Sequence, residues 1–304
     1  MKVFLTGGLG NQLFQLAAAF ENAEGDIELI SKIGKPRLTE KGDPEVASFL
    51  LPTFVSIKSP PMTFSRLTTK IIGLNLRTHF NPRRIEKHLL SVYRTLGNIY
   101  ISLLFKEILR LTLGRDVGFT PIKKLGKADF LVGYFQSFKY LSKSTLEKMS
   151  ALNVLQPTET FLEYLRKFQG KRILVVHVRL GDYMHEPTIG TLSREYYKRA
   201  LTEIDRERID KILVFSDSPH LVNSWLPEEI SHNFEIVPNT FTSAETLMLM
   251  RAGSDFIISN STFSWWGAML STNKDKKVIA PKPWFVAQDE PTDLFPSSWI
   301  RVER

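Results

Sequence analysis

The chain has 304 residues, 43% of them hydrophobic and 24% charged, with a net charge of +8. This composition is typical of folded globular proteins and excludes wholesale disorder, while the lack of cysteine excludes disulfides, thiolate metal sites and a cysteine nucleophile. The longest apolar candidate, Ile99 to Leu113, is interrupted by charged residues, and the N-terminal strand is too short for a signal-peptide core, so we expect a soluble, cytoplasmic protein.

The first half of the chain begins as an α/β domain. Lys2 to Thr6 predicts a buried strand, Gly7 to Gly10 a turn, and Asn11 to Phe20 a helix. Helical apolar spacing continues from about Arg83 to Leu113, and Asp129 to Phe135 again has strand character. Gln156-Pro157 predicts a break. We therefore expect an N-terminal domain over 1–155 and a C-terminal domain over 156–304.

The basic excess is concentrated in one segment. Between Arg66 and Lys124 there are 12 Lys or Arg residues and three acidic residues, a balance of +9, while the remainder carries 28 basic and 29 acidic residues. This pattern indicates one charged face, either a solvated helical surface or a surface turned toward anionic lipid or a pyrophosphate-linked acceptor. We expect no nucleic-acid partner, because no known nucleic-acid-binding motif accompanies the charge.

The second half alternates strongly between strand and helix patterns. Five strands and three helices are predicted, with Ser193 as the cap of the first helix: strands 172–178, 212–215, 234–237, 255–259 and 277–280, and helices 193–204, 243–251 and 262–271. Strands rich in Val and Ile that alternate with helices predict a parallel sheet covered by helices on both faces.

Polar side chains follow three of these predicted strands. The first strand ends in His177, Arg179 and Asp182, the second in Ser216 to Ser218, and the third in Ser259 to Thr262. Ligands of open parallel sheets bind at the carboxyl ends of the strands. An arginine in a strand of Ile, Leu and Val is costly unless it is paired. The sequence therefore predicts a ligand site at this edge.

The residue types at this edge favour a phosphate or diphosphate. Arg179 offers a donor fork suited to phosphate oxygens, and Ser261, Thr262 and Ser264 open a helix whose N-terminus favours an anion. Asp217 is a plausible acceptor for a guanine edge. The alternative is that Arg179 only pairs with Asp182 or Asp217. Trp265 and Trp266 are expected in the core rather than as sugar platforms.

The sequence offers no metal-binding pattern at this site. It contains no Asp-x-Asp motif, and its six histidines lack ligand spacing. We expect no metal and no other cofactor. A general base is then sought among the acidic and imidazole groups that follow Arg179, and the candidates are Asp182, His185 and Glu186.

Four motifs occur together in a fixed order: Gly7-Gly8-Leu9-Gly10-Asn11-Gln12-Leu13-Phe14-Gln15, His177-Val178-Arg179-Leu180-Gly181-Asp182-Tyr183, Phe215-Ser216-Asp217, and Ser259-Asn260-Ser261-Thr262-Phe263-Ser264-Trp265-Trp266-Gly267. With smaller matches at Gly133 to Gln136, Pro281 to Phe285 and Ser298 to Ile300, the chain resembles the bacterial and animal α-1,2-fucosyltransferases along nearly its whole length. One departure stands out, because Leu180 occupies the position of that family's second arginine.

The resemblance implies a GT-B-like fold, with two Rossmann-like domains facing one cleft, and an inverting, metal-independent transfer of L-fucose from GDP-β-L-fucose to the 2-hydroxyl of a terminal galactose. It places acceptor binding in the N-terminal domain and the GDP-sugar in the C-terminal domain, whose last segment could cross back. His177 and Asp217 would contact guanosine, Arg179, Ser261 and Thr262 the diphosphate, and Asn11 the fucose or acceptor. Gly10, Asn260 and Ser264 complete the implied donor set, and Asp182, Glu186 and Asn11 the catalytic set.

Two alternatives remain open. The same fold could use another GDP-sugar, or the chain could be a non-catalytic carbohydrate- or nucleotide-binding relative. The resemblance also suggests acceptors carried on lipid, so we expect the segment from Arg66 to Lys124, with its cluster Arg83, Arg84 and Lys87, to contact an anionic membrane peripherally at the inner face.

Overall fold

The computed structural model describes residues 1–31, 36–59, 65–80, 84–106, 108–114, 117–122, 129–230, 234–287 and 289–304. The chain divides into two compact units, Met1–Leu152 and Asn153–Arg304. Each unit has a parallel sheet of its own, and no strand pairing among these residues joins the two sheets. The division lies three residues before the predicted boundary between Leu155 and Gln156.

The first unit has a five-stranded sheet in the order β3-β2-β1-β5-β4. Its strands are β1 (Lys2–Phe4), β2 (Ile27–Ile30), β3 (Val55–Lys58), β4 (Arg110–Leu113) and β5 (Asp129–Val132), and its helices are α1 (Leu9–Asn22), α2 (Ser65–Phe80), α3 (Arg84–Phe105) and α4 (Lys143–Ser150). Every strand pair is parallel. The chain reverses its direction of winding between β1 and β5, which makes their carboxyl ends the switch point of this sheet.

The helix predicted over about 83–113 is wrong in its last part. α3 ends at Phe105, and Arg110–Leu113 forms the edge strand β4. The run from Leu109 to Leu113 alternates between leucine and polar residues, and Leu111 and Leu113 are buried on alternate positions of the strand. Arg110 also forms an ion pair with Asp129 of the neighbouring strand, at 2.6 Å. This alternation has the period of a strand, so the helical spacing that precedes it does not extend to Leu113.

The second unit has a six-stranded parallel sheet in the order β11-β10-β9-β6-β7-β8. Its strands are β6 (Ile173–Val178), β7 (Lys211–Ser216), β8 (Phe234–Ile236), β9 (Asp255–Ile257), β10 (Val278–Lys282) and β11 (Ile300–Glu303), and its helices are α5 (Glu159–Lys167), α6 (Arg194–Thr202), α7 (Val222–Trp225), α8 (Ser243–Arg251) and α9 (Thr262–Met269). This is the strand order of a doubly wound Rossmann sheet, with its switch point between β6 and β9.

The end of the chain differs from the expectation in two ways. Strand 277–280 is not the last, because β11 follows and pairs in parallel with β10. The final segment therefore completes the second sheet instead of returning to the first unit. Two predicted helices of this unit are confirmed. Ser193 caps α6, with its hydroxyl accepting the Tyr196 N–H, and α8 occupies the predicted Ser243–Arg251.

The core of the second unit lies against the strands that carry the site. Leu174, Val176 and Val178 of β6 are fully buried in one apolar cluster, together with Leu180 just after the strand. Trp265 and Trp266 of α9 are also fully buried, and the Trp265 indole N–H donates to the Leu294 carbonyl at 3.0 Å. The prediction that these tryptophans belong to the core is confirmed. Within the ranges given above, no helix has the length and apolar character needed to cross a membrane.

Candidate functional site

The carboxyl ends of β9, β6 and β7 lie side by side in the second sheet. The three groups of polar residues predicted from strand ends are therefore neighbours, and they flank the switch point between β6 and β9. A crevice at such a point is where ligands of doubly wound sheets bind.

His177 is the first side chain at this switch point. Its Nδ1 lies 2.6 Å from the hydroxyl oxygen of Ser259, so one hydrogen bond joins β6 to the residues that follow β9. The imidazole is buried, and this burial, assisted by the positive charge of Arg179, lowers the pKa of His177 to about 3. His177 is therefore neutral at physiological pH and adds no charge to the site.

Arg179 is held by two carboxylates at once. Its Nη2 lies 2.5 Å from Asp182 Oδ1, and its Nη1 lies 3.0 Å from Asp217 Oδ2. The pairing that the sequence left open is thus observed with both partners. Asp182 is 65% exposed at its side chain, whereas Arg179 is 17% exposed and Asp217 24% exposed. The Asp182 contact is the weaker of the two, because exposed ion pairs are strongly screened by water.

Asp217 also positions the backbone that follows β6. Its Oδ1 accepts the N–H of Leu180 at 2.9 Å, while its other oxygen faces Arg179. A side chain on Gly181 would collide with this carboxylate, and Gly181 has a positive φ of 21°. A glycine is therefore required at the turn where β7 meets the end of β6.

Tyr183 was named from the sequence only as part of a motif, without a role, and it links Arg179 to α9. The guanidinium carbon of Arg179 lies 5.0 Å from the centre of the Tyr183 ring, within cation–π range. The Tyr183 phenol hydrogen-bonds Ser261, and burial raises the pKa of Tyr183. Ser261 is the N-cap of α9. The aromatic ring therefore connects the cation at the end of β6 to the start of the helix after β9.

The predicted donor residues around α9 divide into two groups. Ser261 and the half-buried Thr262 lie at the helix start. Ser264 is fully buried and donates its hydroxyl to the Ser261 carbonyl at 3.1 Å. Asn260 is buried too, and its amide donates to the carbonyls of Ile189, Gly190 and Trp284. In this structure Ser264 and Asn260 hold loops together instead of presenting their donors to a ligand.

Leu180, which replaces the second arginine of the resemblance, is 1% exposed. It packs in the same apolar cluster as Val178, on the side of the strand opposite to Arg179. The substitution therefore falls on the core side of the chain, and Arg179 is the cation that remains at the site.

The other predicted catalytic side chains follow β6 or begin α1. His185 and Glu186 are exposed at the end of the 3₁₀ turn over 181–185. Asn11, in the first turn of α1, accepts a hydrogen bond from the Gln136 amide at 2.9 Å, and this bond spans the switch point of the first sheet. Gln136 was singled out only as part of a motif. Gly7 has a positive φ of 74°, and a Cβ there would collide with the Asn11 amide.

Gly10 lies at the N-terminus of α1, and the carboxylate of Glu45 binds at this helix start. Glu45 is buried, and its Oε2 accepts the Leu9 N–H at 2.7 Å. A phosphate at this helix start would meet a negative charge, so the geometry disfavours the predicted donor contact at Gly10. In the described part of the chain, no group of three acidic or imidazole side chains is arranged to hold a metal ion.

Comparison with known proteins gives one family and several distant relatives. The model of glycosyl transferase family 11 matches residues 1–303. An O-antigen biosynthesis glycosyltransferase of Escherichia coli is 27% identical over 98% of this chain and 99% of its own length. An α-1,2-colitosyltransferase of the same species is 24% identical over 99% and 98%. A galactoside 2-α-L-fucosyltransferase of Caenorhabditis elegans is 27% identical over 56% of this chain and 51% of its own.

Two solved structures show the same fold at low sequence identity. The NodZ α-1,6-fucosyltransferase, in a crystal soaked with GDP-fucose, has a TM-score of 0.50 at 13% identity and covers 95% of this chain and 99% of its own. The ADP-heptose heptosyltransferase II of Escherichia coli also has a TM-score of 0.50, at 9% identity, over 99% and 90%. The expectation of an α/β fold of the GT-B type is confirmed.

The burial of the neutral His177 imidazole predicts how the stability of the second unit depends on pH. The pKa of His177 is about 3 in the folded state and 6.5 when unperturbed, so only the unfolded chain takes up this proton between those values. Acidification from pH 7 to 4.5 should therefore reduce the stability of the wild-type second unit by about 2–3 kcal/mol more than that of His177→Asn.

Urea unfolding followed by tryptophan fluorescence measures this difference, because all five tryptophans lie after residue 153. His220→Asn, at an exposed position of the same unit, provides the matched control for the removal of an imidazole. Identical pH slopes for the wild type and His177→Asn would contradict a neutral imidazole.

Proposed function

Because the chain belongs to glycosyl transferase family 11, we propose that it transfers L-fucose from GDP-β-L-fucose to the 2-hydroxyl of a terminal galactose. The observation that carries this proposal is the position of Arg179, which lies at the switch point of the second sheet and is linked through Tyr183 to the start of α9. A guanidinium and the free N–H groups of a helix start are suited to binding a diphosphate.

The proposed reaction is a single displacement with inversion. The galactose O2 attacks C1 of fucose while the bond from C1 to the diphosphate oxygen breaks, and GDP leaves with the bonding electron pair. The hydroxyl proton passes to a general base, and the β configuration of the donor becomes an α linkage. Arg179 and the first N–H groups of α9 stabilise the charge that develops on the diphosphate. In this proposal they replace a metal ion.

The two units take different parts of the substrates in this proposal. The second unit binds the GDP-sugar, because its switch point carries a cation and a helix start capped by the uncharged Ser261. The first unit binds the sugar acceptor, because Glu45 occupies the start of α1 and Asn11 and Gln136 offer neutral amides. Uncharged hydrogen-bonding groups suit hydroxyl-rich glycans better than they suit a diphosphate.

The contacts of the two acidic candidates for the general base support different roles. In an inverting displacement the base and the leaving group lie on opposite faces of C1. Asp182 contacts the cation that would hold the leaving group, so we assign it the role of positioning Arg179. Glu186 lies four residues after Asp182 and is exposed, and its Oε1 accepts the Thr188 N–H at 3.3 Å; among the described residues the ion pairs of Arg179 are with Asp182 and Asp217. We propose Glu186 as the base.

GDP-colitose is a second candidate donor, because one relative that covers nearly the whole chain is named a colitosyltransferase. Colitose lacks one hydroxyl of fucose, and the contacts that would distinguish the two lie on the sugar rather than on the diphosphate. Arg179 and α9 would therefore bind the diphosphate of either donor equally well, and the assay compares the two donors directly.

The function is tested by incubating the protein with GDP-fucose, GDP-colitose or GDP-mannose and a panel of galactosides and glucosides, in the presence of EDTA. We expect release of GDP with GDP-fucose and an α-1,2-linked product on terminal galactose. Activity that disappears with EDTA and returns with Mg²⁺ would contradict the metal-independent mechanism. Preference for GDP-colitose would replace fucose as the donor, and binding of GDP-fucose without hydrolysis or transfer would identify a non-catalytic relative.

Arg179 should be essential to turnover. We expect Arg179→Ala to lower kcat/KM by an amount equivalent to about 2–4 kcal/mol of transition-state stabilisation, and Arg179→Lys to restore only part of it, because the two-pronged donor is lost. Arg172 is the matched control, because it flanks the opposite end of β6 and pairs with Asp255 at 3.2 Å. If Arg179→Ala turns over GDP-fucose as well as Arg172→Ala does, the diphosphate is bound elsewhere.

Substitutions of Glu186 and Asp182 should affect different quantities, namely kcat for Glu186 and the affinity for GDP for Asp182. Glu186→Gln should lower kcat by about 10²-fold or more, with little change in the affinity for GDP measured by calorimetry. Asp182→Asn should instead raise the affinity for GDP, because the diphosphate competes with Asp182 for Arg179. A large loss of kcat in Asp182→Asn together with a near-normal Glu186→Gln would reverse the two roles.

A further inference from the structure

An exposed apolar stripe runs along α3. Val92, Leu96, Ile99 and Leu103 are separated by four, three and four residues, so they lie on one side of the helix. All four are exposed, and Leu103 reaches 73%. Ile101, on the opposite side of the helix, is fully buried in the core of the first unit. The stripe therefore faces away from the core that α3 covers.

The apolar surface continues beyond the helix. Ile108, between α3 and β4, is 87% exposed. Leu67, near the start of α2, is also exposed, and the hydroxyls of Thr68 and Tyr100 lie 3.0 Å apart, which brings the start of α2 beside the end of α3. An open groove of about 670 Å³ lies at this end, lined among others by Ile99, Leu103 and Ile108. Isolated exposed leucines need no explanation, but a contiguous set indicates an interaction site.

The segment that carries this surface is strongly basic in sequence, with a balance of +9 from Arg66 to Lys124. Lys106 lines the groove together with Ile99, Leu103 and Ile108, and Arg66 and Lys70 are exposed on the first turns of α2, on either side of Leu67 in the sequence. Arg83 of the predicted cluster lies outside the described residues, as do the side chains of Arg84 and Lys87. An apolar strip flanked by cations is the pattern of a helix that lies in the plane of a lipid headgroup layer.

We propose that this surface, formed by α3, the start of α2 and Ile108, docks the protein peripherally on an anionic phospholipid bilayer. Leu96, Ile99 and Leu103 would enter the headgroup layer while the basic side chains contact lipid phosphates. A second copy of the chain fits less well, because a symmetric dimer would bring two segments of like charge together. The inference goes beyond the proposed function and depends on neither the donor nor the acceptor.

Vesicle co-sedimentation of the full chain tests the proposal without any measurement of activity. The vesicles are phosphatidylcholine alone or phosphatidylcholine mixed with phosphatidylglycerol, each at low and high salt. We expect at least about tenfold more protein on the anionic vesicles at low salt, and loss of most of this binding at high salt. Equal binding to both vesicle types, or none to either, would overturn the proposal.

Two pairs of variants separate the apolar and the charged contributions. Ile99→Gln/Leu103→Gln should reduce binding several-fold, whereas Leu50→Gln, at a site 52% exposed in the same unit, should leave it unchanged. Arg66→Glu/Lys70→Glu should remove most of the binding, whereas Lys41→Glu/Lys274→Glu, with the same change in charge at exposed positions, should retain most of it.

Circular dichroism and sedimentation velocity accompany each variant. A folded Ile99→Gln/Leu103→Gln that binds vesicles like the wild type would contradict the apolar contact. A dimeric wild type that becomes monomeric in this variant, without a change in vesicle binding, would assign the surface to self-association instead.

Discussion

The ion pair between Arg179 and Asp217 is the contact on which the candidate site of the second unit depends. It joins the ends of two neighbouring strands, β6 and β7, and the same carboxylate also accepts the Leu180 N–H. One side chain thus holds both the cation and the backbone that carries it. Because Asp217 lies 38 residues after Arg179, this contact forms only when β7 is paired with β6. The same contact favours glycine at position 181, since the side chain of a larger residue would collide with the Asp217 carboxylate.

The charge of the site is set by burial as much as by composition. His177, Arg179, Asp182 and Asp217 lie within one strand end and its neighbours, yet the imidazole is neutral because burial, assisted by the charge of Arg179, lowers its pKa to about 3. The guanidinium is therefore the cation of this cluster, and it faces two acids. In the proposed function a diphosphate would compete with Asp182 for Arg179, and the exposed Asp182 contact is the easier of the two to replace.

The two units use the same doubly wound plan but treat their switch points differently. In the second unit the helix start after β9 is capped by a serine, which leaves its dipole available to an anion. In the first unit the helix start after β1 receives the buried Glu45 carboxylate, and the switch point is bridged by the neutral amides of Asn11 and Gln136. The proposed division of substrates between the units rests on this difference in charge.

The sequence by itself determined the class of fold, the alternation of strands and helices after residue 156, and the grouping of polar residues at the ends of β6, β7 and β9. These features depend on local periodicity and on residues adjacent in the chain, which pattern alone specifies. Only the tertiary structure decided that Arg179 has two carboxylate partners and that Glu45 reaches the start of α1. It also decided that an apolar face of α3 points outward, because a helical period is the same whether its apolar side meets a core or solvent. Contacts between residues distant in sequence, and the choice of which face is covered, arise only when the sheets are assembled.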